Sequence, residues 1–404
     1  MSVVGIGEDG WDGLTRAAQE TLRAAKVIVG SARQLALIPD LGVRCEQLPS
    51  PLLEHLDALV ADTPGLCLLA SGDPMLHGIG ATLARRLGPE RLTVRPAVSS
   101  VALACARLGW PEHEVSVVSQ VAAPAAVLLA ALAPGARVLV LCRDGRTPAA
   151  AARLLAGAGW GSSELTVLER LGGPAERLAG PWPASDLAGD QQAPAGTGFA
   201  DLCVLAVLAR PGPDAAAAGR APGLPDEAYQ SDGQLTRREI RAAALAALRP
   251  GPGQLLWDVG AGSGSIGIEW LRAEPLARAV AIESRAGRCE RIGRNAAALG
   301  VPALQVTCGA APAALAGLAA PQAVFIGGGL TVPGLAETCW ERLEPGGRMV
   351  AHAVTVESEQ VLHRWHRAEG GQLTRHAISY LEPLGGFSTW RPALPVVQWQ
   401  ADKP

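Results

Sequence analysis

The sequence predicts an α/β protein of two domains, the first of them built from two α/β subdomains. Three observations carry this. Short apolar runs alternate with helical patterns through the first 210 residues, the order expected of strands joined by helices. An apolar strand running into a glycine-rich turn and then a helix opens at Leu255. Between them, 211–225 is rich in Pro, Gly and Ala, lacks any strand pattern and reads as a linker. At 404 residues the chain has room for two or three domains.

The first block, 1–112, opens on the strand Val3-Val4-Gly5-Ile6, followed by a helical pattern over 14–25 and a second apolar run, Val27-Ile28-Val29-Gly30. A third run, 65–70, precedes a helix near 80–87. Helices placed between strands argue for a parallel sheet. The second block, 113–210, carries strands at 115–118, 138–141, 165–168 and 202–207, with helical patterns between the first three. Its stretch 172–198 turns to Gly, Pro, Ala and Asp and reads as a long surface connection. The third block, 226–404, starts with a helix over 236–248. After the glycine turn come a helix over 266–271 and strands at 279–283, 305–308, 323–326 and 347–352. Its end, 372–399, reads as a pair of extended strands around Gly385-Gly386.

Composition narrows the function classes. Hydrophobic residues are 49% and charged residues 18%, which predicts packed cores and excludes a disordered chain. Net charge is −3, lysine occurs only at Lys26 and Lys403, and the arginines form no cluster, so no broad nucleic-acid surface is expected. The longest apolar run, 121–133, is too short to span a bilayer. The chain opens on a strand with no basic region or cleavage pattern, so a cytoplasmic protein is expected. The eight cysteines are scattered without a C-x-x-C pair, which predicts buried free thiols and neither a zinc site nor a disulfide framework. His363 and His366 have no third ligand nearby and read as a solvated helix face; no metal is expected.

The strongest local pattern is 255–267, LLWDVGAGSGSIG. A strand ends in Asp258, and Gly260, Gly262 and Gly264 turn sharply into a helix. Glycine is required where backbone must approach a ligand with no room for a Cβ. The next strand ends at Glu283, 19 residues after Gly264, and an acidic residue there can accept hydrogen bonds from both ribose hydroxyls of a nucleoside. This spacing fits S-adenosylmethionine and also a dinucleotide. The block also contains GQLTRREIR at 233–241, Arg294-Asn295-Ala296, VFIGGG at 324–329, LEPLGG at 381–386 and PVVQW at 395–399. With these it resembles the class I, Rossmann-like methyltransferase domain that acts at carbon 15 and decarboxylates in cobalamin biosynthesis. The resemblance implies cofactor contacts at Thr236, Gly260, Ala261, Gly262, Ser263, Gly264, Glu283 and Ala311. The family usually has Gly-Asp-Ala where this chain has Gly309-Ala310-Ala311, so only backbone contacts are expected there. Candidate substrate contacts are Arg237, Arg238 and Arg241, whose guanidinium forks suit carboxylates, and His352 at a strand end.

The first 209 residues carry four weaker patterns in fixed order: VVGIGEDG at 3–10, AKVIVG at 25–30, LASGDPMLHG at 69–78 and RPAVSSVA at 95–102. Together they resemble the tetrapyrrole (class III) methylase fold and, within it, the precorrin methylase acting at carbon 5. That resemblance implies a cofactor folded into a cleft between two α/β subdomains, with contacts at Gly72, Asp73, Leu76, Ser99 and Ser100. Glu8 stands where the family usually has Pro, and Pro96-Ala97 where it has Pro-Gly.

Two methylase domains of unrelated fold in one chain resemble the fused precorrin methyltransferases. This implies methylation at ring carbons 5 and 15 with loss of an acetate carboxylate, one S-adenosylmethionine per domain, a tetrapyrrole substrate and a homo-oligomer. The competing readings are an RNA methyltransferase, disfavoured by the weak charge, and a non-catalytic tetrapyrrole-binding protein, disfavoured by the retained Asp73, glycine turn and Glu283.

Overall fold

The computed structural model describes residues 1–49, 65–189, 198–215 and 219–404. They divide into two units, 1–125 with 133–214, and 126–132 with 215–404.

The first unit holds two sheets. One is wholly parallel: β1 (Ser2–Ile6), β2 (Val27–Gly30), β3 (Arg44–Gln47), β4 (Leu66–Ser71) and β5 (Thr93–Arg95), in the order β3-β2-β4-β1-β5. The inner strands β1 and β4 are covered on both faces, which is why they read as unbroken apolar runs. Helix α1 (Arg16–Arg23) starts where the Thr15 hydroxyl accepts from the Ala18 N–H, and α2 (Ala32–Ala36) starts at a reciprocal cap between Ser31 and Gln34. Helix α3 (Ile79–Leu87) follows β4. Helix α4 (Ser100–Leu108) is capped by Ser99 and stopped by Gly109 in the left-handed region.

The second sheet contains β6 (Val115–Ser119), β7 (Arg137–Leu141), β8 (Glu164–Glu169), β9 (Arg177–Pro183) and β10 (Cys203–Leu208) in the order β6-β7-β10-β8-β9. Only β6 and β7 are parallel; β10 runs antiparallel to both its neighbours. Helix α5 (Thr147–Gly157) joins β7 to β8. The expected surface connection at 172–198 instead contributes edge strand β9 and the short helix α6 (Ala184–Ala188); its residues 190–197 lie outside the described ones. The antiparallel partner supplies the order here, so a Gly/Pro-rich segment can still be a strand. Val101, Ala104 and Cys105 of α4 bury themselves with Leu139, Leu168 and Val204 of the second sheet. Helix α4 thus packs in the second subdomain's core although it precedes 112.

The second unit is a seven-stranded sheet in the order β13-β12-β11-β14-β15-β19-β16. Its strands are β11 (Leu255–Val259), β12 (Arg278–Glu283), β13 (Gln305–Cys308), β14 (Ala323–Ile326), β15 (Arg348–Ala353), β16 (Gln372–His376) and β19 (Val396–Asp402). The first five in that order are parallel and β19 is antiparallel to β15 and β16. Between β16 and β19 a separate hairpin, β17 (Ser379–Leu384) and β18 (Phe387–Pro392), turns at Gly385-Gly386. Helices α7 (Arg238–Leu248), α8 (Ser265–Ala273), α9 (Ala286–Ala298), α10 (Leu335–Arg342) and α11 (Val356–Glu369) flank the sheet. Tryptophan does much of the packing: Trp257, Trp270 and Trp399 are fully buried, and Trp340, Trp365 and Trp399 meet with ring centroids 5.7–5.9 Å apart. Truncating one such ring costs about 3–5 kcal/mol.

The segment expected to be a linker is anchored at its end. Gly223 and Leu224 donate their N–H groups to the Glu269 carboxylate, and Leu224 is buried. Residues 216–218 lie outside the described ones. The apolar segment 126–132, expected in the second subdomain, groups with the second unit, where Ala130 packs on its core. The thiols are all unpaired, but Cys45 and Cys308 are exposed, not buried. Among the described residues no helix is long and apolar enough to cross a membrane, and no cluster of three metal-ligating side chains occurs.

Candidate active site

A cavity of about 860 Å³ opens in the second unit along the carboxyl ends of β11, β12, β14, β15 and β16. Open α/β sheets bind ligands at this edge because strand ends and helix starts converge there. The glycine turn forms its floor. Gly260 has φ 70°, and a Cβ on it would lie 2.7 Å from the Gly328 nitrogen, so two loops meet where only glycine fits. Gly262, at φ 60°, is less crowded: a notional Cβ would make only an ordinary contact, 3.8 Å from the Gln234 carbonyl oxygen. Gly264 differs from expectation: it does not line the cavity, and its close approach to Ile292 makes it a packing glycine at the start of α8.

Glu283 ends β12 and is buried. Its carboxylate accepts from the N–H of Gly262 at 3.0 Å, the N–H of Arg285 at 3.0 Å and the Ser284 hydroxyl at 3.3 Å. The acid therefore fixes the glycine turn and keeps acceptor capacity toward the cavity. Asp258 is the last residue but one of β11. One oxygen accepts from the Gly267 N–H at 3.0 Å and the other has no partner. Burial pushes this carboxyl up to about 7, against the pull of the Gly267 N–H, and the nearby Glu283 charge adds to the rise. The Ser263 hydroxyl is likewise buried without a partner. Asn295 on α9 donates to the carbonyls of Ser263 and Gln230 at 3.0 Å each, tying the turn to the segment before α7. A cradle with orphaned Asp258 and Ser263 oxygens, an uncrowded Gly262 and a carboxylate at the strand end fits S-adenosylmethionine, which brings ribose hydroxyls and a cationic centre.

Thr236, Ala261, Ser263 and Ala311 all line this cavity, as do Arg237 and His352. Arg237 is exposed and lies 3.2 Å from Asp226. His352 on β15 is almost fully buried; its Nε2 lies 2.9 Å from Oε1 of Gln398 on β19, and its ring meets Phe325 edge to face at 4.9 Å. Arg238 is exposed and not among the lining residues. Arg241 is a correction: it is wholly buried and cannot reach a substrate. Its guanidinium pairs with Glu269 at 2.5 Å and Asp226 at 3.3 Å and donates to the carbonyls of Thr236 and Leu224. At helix spacing, Arg241 falls on the face that α7 turns to the core, and Glu269 makes its burial tolerable. The lining also includes Phe325, Arg285, Arg288, His376 and Tyr380, none of them singled out from sequence. Phe325 is the penultimate residue of the parallel strand β14, near the carboxyl edge, a position that could have flagged it. His376 and Tyr380 lie in the tail that read only as extended chain.

In the first unit the expected contacts gather at the ends of β1 and β4. A Cβ on Gly5 would lie 2.8 Å from the Ala97 nitrogen, and one on Gly72 (φ 57°) would lie 3.3 Å from the Val98 carbonyl. The loops 72–76 and 97–100 therefore adjoin. Asp73 accepts from the Met75 N–H at 2.8 Å, Ser99 from the Ala102 N–H at 3.0 Å, Ser100 begins α4, and Leu76 packs on that helix's core. Glu8 pairs with Arg33, which donates to the Ser71 hydroxyl at 2.7 Å.

A carboxyl-edge cavity with a glycine turn and an acidic strand end defines the second unit as a Rossmann-like domain with a nucleoside site; the first unit holds two α/β sheets. The family described as tetrapyrrole (corrin/porphyrin) methylases matches residues 1–188, and that described as precorrin methyltransferase domain matches 227–403. The chain is 47% identical over 407 residues to the precorrin-6Y C(5,15)-methyltransferase [decarboxylating] of Mycobacterium tuberculosis (strain CDC 1551 / Oshkosh), covering 99% of each chain. It is 44% identical to the protein of that name from Sinorhizobium sp, covering 100% of this chain and 96% of the other. A crystal structure of the C-terminal domain of precorrin-6Y C5,15-methyltransferase from Rhodobacter capsulatus is 47% identical, with a TM-score of 0.44, covering 46% of this chain and 100% of that one. The chain belongs to the two-domain precorrin-6Y C(5,15)-methyltransferase (decarboxylating) family.

Proposed function

We propose that this chain methylates a precorrin at ring carbons 5 and 15 and removes carbon dioxide from an acetate side chain in cobalamin biosynthesis. The first unit serves carbon 5, and the second serves carbon 15 with the decarboxylation, each binding one S-adenosylmethionine. The observation that carries the reading is a single cavity holding both the Glu283–Gly262 end and the His352 end. S-adenosylmethionine supplies an activated methyl group on sulfonium. The protein's part is to hold an electron-rich ring carbon in line with it and exclude water. Arg237 at the cavity mouth suits a substrate carboxylate. The conjugated ring is the electron sink for decarboxylation. The exposed Leu381, Leu384, Phe387 and Trp390 of the β17–β18 hairpin support a homo-oligomer, which analytical ultracentrifugation of the full chain tests. For the activity, the full chain is incubated with labelled S-adenosylmethionine and either the reduced precorrin or RNA. Label in the precorrin with release of carbon dioxide is expected; label in RNA alone refutes the reading.

A further inference from the structure

The cavity of the second unit has two ends. Glu283 closes one, at β12; His352 and His376 line the other, at β15 and β16. β11 and β14 lie between β12 and β15, so three strand spacings of about 4.8 Å set the ends roughly 14 Å apart. A nucleoside held at Glu283 would leave the stretch of the cavity at β14 and β15, where Phe325 and His352 meet, for the substrate.

His352 is held on one side only. Its Nε2 lies 2.9 Å from the Gln398 Oε1. Gln398 donates through Nε2 to the Gln400 Oε1 at 3.0 Å, and Gln400 donates to the Gln372 Oε1 at 3.3 Å. This run of amides leaves Gln398 an oxygen to offer the imidazole. In the tautomer that this arrangement suits, the Nε2 of His352 carries the hydrogen and Nδ1 keeps its lone pair. Among the described residues Nδ1 has no partner. Burial keeps the ring neutral, pushing it down to about 4, with the Gln398 bond opposing and His376 adding to the fall.

The reaction proposed for this unit needs such a group. Replacing hydrogen by methyl on a ring carbon releases a proton. Replacing carboxylate by hydrogen on an acetate consumes one. We infer that His352 is the proton carrier of the second unit: Nδ1 takes the proton displaced from the methylated ring carbon and delivers one to the methylene left by carbon dioxide, while Gln398 is a positioning residue. This inference rests on the proposed methylation and decarboxylation. The electrons balance within it. The ring π pair bonds the methyl while sulfur keeps the pair of the broken carbon–sulfur bond. The ring C–H pair returns to the ring as the proton leaves. The pair of the broken acetate C–C bond passes to the methylene and takes up the proton.

The other ionisable side chains on the cavity wall are Asp258, Glu283, His376, Tyr380 and the arginines Arg237, Arg285 and Arg288. Glu283 accepts from the Gly262 N–H, Asp258 accepts from the Gly267 N–H inside α8, and Tyr380 donates to Glu239. The test uses the full chain with S-adenosylmethionine and the reduced precorrin, following methyl at carbon 15 and carbon dioxide. His352→Asn is expected to lower both rates about a hundredfold or more, with calorimetric affinity for S-adenosylmethionine unchanged. Gln398→Glu still accepts from Nε2 but places a carboxylate there, which favours the imidazolium. The acid limb of carbon dioxide release then moves up by about one pH unit or more, an effect a packing role does not produce. Wild-type rates in His352→Asn, or an unmoved limb in Gln398→Glu, overturn the inference. Should His352→Asn lose cofactor affinity, the Gln398→Glu profile alone decides. Wild-type protein that releases no carbon dioxide refutes the functional reading instead.

Discussion

Glu283 and Asp258 lie at the carboxyl ends of neighbouring strands, one the last residue and one the last but one, yet they are held differently. Glu283 accepts three hydrogen bonds from its own loops. Glu283→Ala removes the proposed ribose acceptor and leaves the Gly262 N–H unpaired. Hydrogen bonds to a charged group contribute about 1.5–3 kcal/mol, so S-adenosylmethionine affinity at the second unit should fall about tenfold to hundredfold by calorimetry. Asp258 has one partner, and folding raises its carboxyl from 3.8 to about 7. The native state therefore binds this proton more tightly than the unfolded chain. That contribution to stability is full below about pH 3.8 and is lost as pH rises through 7. Asp258→Asn removes the titration, so the difference in Tm between variant and wild type should move in the variant's favour from pH 4 to 8. A difference independent of pH contradicts the assignment. Arg241 shows what a residue's type alone conceals. Its fork suits a substrate carboxylate as well as it suits Glu269, and only the packing of α7 decides between them. Removing it strands a buried carboxylate, so Arg241→Ala should cost the second unit about 3–5 kcal/mol in urea denaturation.

Elements were legible where one period or one turn rule dominated. The buried runs of β1, β4, β11 and β14, and the glycine turn into α8, follow from apolar continuity and backbone sterics. Strand β3 (RCEQ) is mostly exposed and polar, and β9 (RLAGPWP) contains glycine and proline; the neighbours that pair with them make them strands. The tail read as two strands because Gly385-Gly386 is an evident turn, whereas β16 and β19 are set by their antiparallel register with each other. Helix α10 carries another feature local rules miss. The Nζ of Lys403 donates to the carbonyls of Trp340, Glu341 and Leu343, 60–63 residues away, capping the helix end. A cation on these terminal carbonyls contributes about 1–2 kcal/mol. Lys403→Met should lower the stability of the second unit by that amount in denaturant unfolding, and an unchanged midpoint would count against the cap.

For the whole molecule, the division into two units is the feature with the largest consequence. Each unit carries its own glycine-dictated loop at strand ends: Gly72 against Val98 in the first, Gly260 against Gly328 in the second. The weak net charge belongs to this scale too. A polycarboxylate substrate needs a few local arginines, whereas a nucleic acid needs a broad basic surface. The central claim is that the two units act on one substrate with separate chemistry. Gly72→Val places a branched side chain at φ 57°, in the left-handed region, and so disturbs the first unit's loop alone. The direct measurement is the mass spectrum of the precorrin after incubation with S-adenosylmethionine and the full chain, either wild type, Gly72→Val or Glu283→Ala. The account predicts a product with two added methyl groups and one lost carbon dioxide for wild type. It predicts one methyl and the same carbon dioxide loss for Gly72→Val, and suppressed carbon dioxide loss for Glu283→Ala. Carbon dioxide loss abolished by Gly72→Val, or undiminished in Glu283→Ala, would contradict it.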